Sequence, residues 1–246
     1  MSRESLHRIA VLAGHNALLR RRDPAHLISY LVMPMVLMLV FKAMIGDPAQ
    51  VVTGLLVMFS VLSMSDVATA TLTERVWHTW EHLRATRARI PEILVGKAVP
   101  VFVVLALQQA VLLGYGVLAV GMRPPGSVWL LALAVAAWCF ALLGVGTALA
   151  GVVRSQGELS TLCNIAALSV SALGGALVPF ALMPSWAQAI APISPGYWAT
   201  TMLQAAVKGD LAGTAGPAAV LIGIGLVAGA FACRRFARGW GRTSLL

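Results

Sequence analysis

Thr73–Pro91 reads TERVWHTWEHLRATRARIP, a charged island set between two apolar runs, Val51–Leu72 and Ile93–Val120. Each flanking run reaches or exceeds the roughly 20 apolar residues that cross about 30 Å of hydrocarbon as an α-helix. An island of this kind between two such runs argues for helices passing through a bilayer, joined by a polar connection on one side.

Composition agrees. Apolar residues make up 59% of the 246 residues and charged residues 11%, with a mean hydropathy of +0.85, against roughly 45–50% and 25% in soluble domains. A water-soluble globule is excluded. The length fits one domain, 1–246. Six spans can be read, near His26–Ile45, Val51–Leu72, Ile93–Val120, Val128–Val153, Leu159–Val178 and Pro217–Cys233. None alternates with period two, so the expectation is an all-α integral membrane protein rather than a barrel.

The positive charges give an orientation. Arg3, Arg8, Arg20, Arg21 and Arg22 precede the first span, and Arg75, Arg84, Arg87, Arg89 and Lys97 flank the second connection. Arg154 and the tail residues Arg234, Arg235, Arg238 and Arg242 fall on the same side, leaving only Lys42, Arg123 and Lys208 opposite. The asymmetry places both termini in the cytoplasm. It also accounts for the net charge of +9 without nucleic acid, since basic flanks meet anionic headgroups. Residues 1–24 lack the apolar core of a cleavable signal. Cys139, Cys163 and Cys233 lie within or at the end of spans, without metal or CxxC spacing, and read as small buried hydrophobes.

Between the spans, three segments stand out. Residues 5–19 place Leu6, Ile9, Ala10, Ala13 and Ala17 at helical spacing, an amphipathic elbow helix within the cytoplasmic region 1–24. The island, 73–91, can form a helix that starts at Thr73–Glu74 and carries Leu72, Val76, Trp80 and Leu83 on one face. It is rich in arginine near its end and stopped by Pro91. Its Trp77, Trp80 and arginines are types enriched where proteins dock. A solvated loop with snorkelling arginines is the alternative. From Gly174 to Gln204, Pro179, Pro184, Pro192 and Pro195 forbid one regular helix, yet Phe180, Met183, Trp186, Ile190, Tyr197 and Trp198 are too apolar for an aqueous loop. Short re-entrant helices over 179–200, on the extracytoplasmic side before the last span, satisfy both facts; an interfacial aromatic belt is the plainer alternative.

Asp66 lies in the inner third of the second span, where a carboxylate is costly unless paired or wetted. It is a candidate pathway or substrate group, or a side chain reaching water. Gln108 and Asn164 are candidates beside it, with interhelical hydrogen bonding as the alternative role.

The order of these pieces resembles the type-2 ABC-transporter permease family. The island matches at Glu74, Arg75, Thr79, Glu81, Leu83 and Thr86, followed by Gly96 and Lys97. The later segment matches at Gly174, Gly175, Pro179, Met183, Pro184, Trp186, Pro192, Pro195 and Tyr197. The resemblance covers nearly the whole chain. His78 before Thr79, and Thr86–Arg87 where Thr-Pro is common, are departures. The resemblance implies a permease subunit of an ATP-driven exporter in a bacterial inner membrane, carrying a hydrophobic drug, lipid or peptide-like substrate, as in antibiotic efflux. It implies a dimer with a second permease chain, identical or homologous, above two copies of a cytoplasmic ATP-binding subunit. Glu74, Arg75, Thr79, Trp80, Glu81, Leu83 and Arg84 would couple to that subunit. Pro179, Met183, Pro184, Trp186, Pro192 and Tyr197 would form an extracytoplasmic gate. Nothing in the chain matches GxxxxGK[ST], so ATP and Mg belong to the partner chain; no cofactor, metal or catalytic residue is expected in this one.

Two other classes stay open. His78-Thr79-Trp80-Glu81-His82 fits HxxEH, the pattern of a membrane-embedded zinc metalloprotease. The same topology also serves a non-transporting membrane assembly or immunity subunit. Zinc analysis of the pure protein separates the first: the permease reading predicts no stoichiometric metal, whereas stoichiometric zinc that disappears on His78→Ala revives the protease alternative.

Overall fold

Asp47–Pro48 and Asp210–Leu211 open two of the long helices, each with a carboxylate accepting a backbone N–H: Ala49 N to Asp47 Oδ1 at 3.0 Å and Gly213 N to Asp210 Oδ1 at 3.0 Å. Asp is a favoured cap, and Pro48 fits the first turn because its missing N–H has no helical partner there. A computed structural model describes residues 14, 25–76, 90–124 and 126–237. The elbow region apart from Gly14, the island from Trp77 to Arg89 and the tail beyond Ala237 lie outside the described residues.

The described chain is helical, without a strand. Its helices are α1 (Ala25–Ile45), α2 (Pro48–Val76), α3 (Ile90–Tyr115), α4 (Val128–Val152), α5 (Gln156–Leu173), α6 (Ser185–Ile190), α7 (Pro195–Lys208) and α8 (Leu211–Ala237). A π-helical turn, Gly116–Val120, extends α3, and 3-10 turns at Phe180–Leu182 and Ala191–Ile193 flank α6. Four stretches, Pro48–Thr69, Ile93–Val120, Val128–Val152 and Leu211–Ala237, are long and apolar enough to cross a membrane by length and composition. α1 adds a shorter apolar stretch, Tyr30–Ile45. α5 carries Glu158, Ser160, Thr161, Asn164, Ser169 and Ser171 within its 18 residues, which is why it falls outside that set.

Several boundaries differ from the sequence reading. α2 continues through Thr73 to Val76, so Thr73–Glu74 is the last turn of a long helix and starts no new one. Pro91 sits in the first turn of α3, where proline is tolerated. The fifth helix ends at Leu173, because Gly174 and Gly175 break it, Gly175 with φ +73°. The last helix starts at Leu211 and takes Pro217 inside it. The proline-rich segment is broken into short helices, and its final residues join α7.

α2 is the centre. The window Pro48–Thr69 is 78% buried, against 22% for Leu211–Ala237, and α1, α3, α4, α5 and α7 all pack on it. Helices run alternately between two ends. The first end gathers Ile45, Pro48, Val120, Val128, the broken segment, α7 and Leu211; the second gathers Val76, Ile90, Val152, Gln156 and Ala237. α5 opens at the second end on Ser155, whose Oγ accepts the Glu158 N–H at 3.1 Å, while Glu158 Oε2 accepts the Arg154 N–H at 2.7 Å.

Small residues let backbones touch. A Cβ on Gly144 of α4 would collide with the carbonyl of Gly225 on α8, and one on Gly225 would meet the Phe140 ring at 2.8 Å. Close approach of this kind substitutes for a hydrophobic driving force that lipid does not supply. Gly144→Leu should therefore lower thermal stability in mild detergent, at a cost of about 1–3 kcal/mol from overpacking. Gly223→Leu, which has nothing within 4 Å, should melt like the native chain.

Candidate functional site: a groove beside the central helix and the segment at its first end

Five side chains on α2 break its burial. From Gln50 to Leu72, every described side chain is buried except Met58, Leu62, Ser65, Asp66 and Thr69, which are half-buried. Their spacing puts them on one face of the helix. That face lies between α1 and α5. Both pack on α2, and among the described residues they make next to no contact with each other. The result is a groove with α2 as its floor.

Asp66 is placed by its electrostatic neighbours, Tyr30 on α1 and Cys163 on α5. Tyr30 Oη stands 3.4 Å from Ser65 Oγ, and towards the second end Thr69 Oγ donates to Gln156 Oε1 at 3.2 Å. α5 buries only the stripe Leu159, Cys163, Ala167 and Ser171. Asn164 is exposed beside that stripe, with Leu162, Ile165 and Leu168. Gln108 is 4% exposed; its amide donates to the Tyr30 carbonyl at 3.2 Å, and its oxygen accepts from Ser63 at 3.0 Å. Of the three pathway candidates, the fold thus brings Asp66 to the groove, leaves Asn164 on an open face, and ties Gln108 into the wall.

The gate candidates form one cluster at the first end. Gln188 Nε2 donates to the carbonyls of Phe180 (3.2 Å) and Met183 (3.0 Å), closing the turn around Pro179 and Pro184. Phe180 and Tyr197 stack tilted at 5.4 Å, Tyr197 meets Trp198 edge-on at 5.3 Å, and Trp198 Nε1 donates to the Pro192 carbonyl at 2.8 Å. Met183 is buried. Trp186 points away, 66% exposed, with Leu182 and Ile193 also exposed.

A second network, unread in the sequence, fastens this cluster to α2. Gln50 donates its amide to the Gly175 carbonyl and accepts from the amide of Gln204 on α7. Thr200 donates to the Gly174 carbonyl, and Ser194, which caps α7, donates to the Val170 carbonyl at 3.2 Å. A Cβ on Gly54 would overlap the Ala176 carbonyl. Further along α2, Trp138 Nε1 donates to Ser60 Oγ at 2.7 Å. The recurrence of Gln50, Thr53, Ser60 and Ser63 along an apolar helix is the signal that marks this polar seam.

At the second end, Glu74 and Arg75 stand in the last turn of α2, while Thr79, Trp80, Glu81, Leu83 and Arg84 lie outside the described residues. Lys97 is 5% exposed and sits among Val67, Thr71, Leu94, Ala98, Val101 and Thr147, where α2, α3 and α4 meet. Among the described residues no group of three His, Cys, Asp or Glu side chains comes together; His78, Glu81 and His82 are outside them.

A family model described as ABC-2 type transporter matches residues 7–207 of this chain. No curated protein matches it.

The Gln50–Gln204 pair carries a direct test. Interhelical hydrogen bonds in membranes average about 0.6 kcal/mol and reach about 1.7 kcal/mol. A double-mutant cycle of Gln50→Leu and Gln204→Leu on thermal unfolding should give a coupling energy in that range, whereas Gln50→Leu paired with the distant Gln156→Leu should be additive.

Proposed function

Because the chain belongs to the ABC-2 type transporter family, and is therefore a multi-pass membrane subunit working with an ATP-binding subunit, we propose that it is the permease of an ATP-driven exporter. Its cargo is a hydrophobic drug, lipid or peptide-like molecule, for which apolar spans with few charges are suited. The observation that carries the reading is the two-ended build of α2. One end runs into the basic island, and the other is hydrogen-bonded to the proline-broken segment.

In this reading the second end faces the cytoplasm of the inner membrane. Arg154, Arg234 and Arg235 support that orientation, against Lys42, Arg123 and Lys208 at the first end. Six helices cross: the four long apolar ones together with α1 and α5. Two permease chains pair above two ATP-binding subunits. Glu74, Arg75, Thr79, Trp80, Glu81, Leu83 and Arg84 dock on those subunits and receive their closing movement, which reorients the helices by alternating access. Pro179, Met183, Pro184, Trp186, Pro192 and Tyr197 gate the outer side. The exposed Leu182, Trp186 and Ile193 support a segment resting in the outer membrane interface. Asp66 and Asn164 line the pathway, and Gln108 holds its wall.

Co-purification with the ATPase encoded beside this chain tests the reading. A stable complex should form in mild detergent, its ATP hydrolysis should respond to reconstitution into membranes, and Glu81→Ala should reduce that hydrolysis several-fold. Failure of any ATPase to associate contradicts the assignment.

A further inference from the structure

α5 ends at Leu173, and the Gly174–Ala176 turn after it leaves backbone carbonyls that no helix takes up. Within hydrocarbon such groups must be bonded inside the protein. Two helices supply the donors. Thr200 of α7 bonds the Gly174 carbonyl, and Ser194, the cap of α7, bonds the Val170 carbonyl. These bonds, with the close backbone approach of Gly174 and Gly196, tie the end of α5 to the start of α7. The proline-broken segment hangs between them, so turn, segment and α7 hold together without α2. Among the described residues, their hydrogen-bonded link to the first end of α2 is Gln50. Its amide donates to the Gly175 carbonyl and its oxygen accepts from Gln204 of α7, so one side chain grips both ends of the hanging segment. Beside it, Gly54 lets Ala176 rest on the α2 backbone, where a Cβ would overlap the Ala176 carbonyl. One bond is left unmade. Ser171, on the buried stripe of α5, is fully buried, and among the described residues its hydroxyl has no partner. A buried hydroxyl without a bond favours any arrangement that wets it.

We propose that Gln50 is a latch. It holds the turn, the segment and α7 shut against α2, and release of its two bonds lets the three move off the first end of α2 as a unit. Both bonds run through one amide and polarise each other, so losing one weakens the other and release is a single event. The bonds of Thr200 and Ser194 lie within the unit and survive it. Ser171 opposes the latch, because the same separation opens its hydroxyl to water. The proposal rests on the permease reading only in calling this unit an outer gate; the latch itself needs no ATP-binding subunit.

The test uses the full-length chain in lipid nanodiscs, with Cys163 and Cys233 replaced by alanine and Thr53→Cys as the reporter. Thr53 is fully buried and stands one turn from Gln50 on α2. Native Cys139, buried against Gln109, reports any loosening elsewhere. A small water-soluble thiol reagent is applied, and its rate of reaction at each cysteine is read by mass spectrometry. Gln50→Leu should speed labelling at position 53 about tenfold, the effect of losing two average interhelical bonds, and leave Cys139 unchanged. Gly54→Ala keeps both amides and should also speed it, by wedging Ala176 off α2. Ser171→Ala should slow it several-fold, since the shut arrangement then hides no unbonded hydroxyl. Labelling at the native rate in both Gln50→Leu and Gly54→Ala overturns the proposal. So does equal acceleration at Cys139, which makes Gln50 a stabiliser of the whole bundle, and so does Ser171→Ala labelling as fast as the native chain or faster. The predicted pattern in a chain that recruits no ATPase would remove the permease reading and leave the latch standing. Native-rate labelling in a chain that does recruit one would do the reverse.

Discussion

A helix surrounded by other helices inside hydrocarbon has no water to satisfy its polar side chains, so they bond either to its own backbone or to a neighbour. α2 is built on that constraint. Trp138 of α4 donates to Ser60, Ser63 donates to Gln108 of α3, and Tyr30 of α1 lies against Ser65. Gln156 of α5 accepts from Thr69, and Gln204 of α7 donates to Gln50. Each bond is modest, about 0.6 kcal/mol on average. Their directions matter more than their sum. They fix the rotation of five neighbours about one axis, which apolar packing against equally apolar lipid would leave loose.

Close packing completes the arrangement where polar bonds are absent. α8 joins through backbone contact with α4 at Gly144 and Gly225, and the Gly174–Gly175 turn reaches α2 through Gly54. The proline-broken segment is therefore attached to the central helix by both kinds of contact, at the end opposite the island. Movement at one end of α2 has a continuous path of packed and bonded groups to the other. In the proposed exporter, this path is the physical route from the ATP-binding side to the outer segment.

Much of this was legible in the residues. Long apolar runs located α1 to α4 and α8, and four prolines announced the broken segment. The facing of the helices was not legible. In water the buried side is the apolar side, but a lipid-facing valine on α1 and a core-facing valine on α2 look alike, so periodicity carried little information. That is why the centrality of α2, the Gly144–Gly225 crossing and the Gln50–Gln204 bond went unread. Thr73 misled because capping chemistry marks where a helix can begin, while α2 simply continued to Val76. For the site, Asp66 was found by its charge, but its neighbours Tyr30 and Cys163 needed the relative positions of α1 and α5.

The permease reading requires the island and the broken segment to lie on opposite sides of one bilayer. Single cysteines at Trp80 and Ser185, in a chain whose Cys139, Cys163 and Cys233 are replaced by alanine, measure this with a membrane-impermeant maleimide. In sealed vesicles of known orientation, Trp80→Cys should label only from the cytoplasmic face and Ser185→Cys only from the outer face. Labelling of both from one side would contradict the topology and the coupling route built on it.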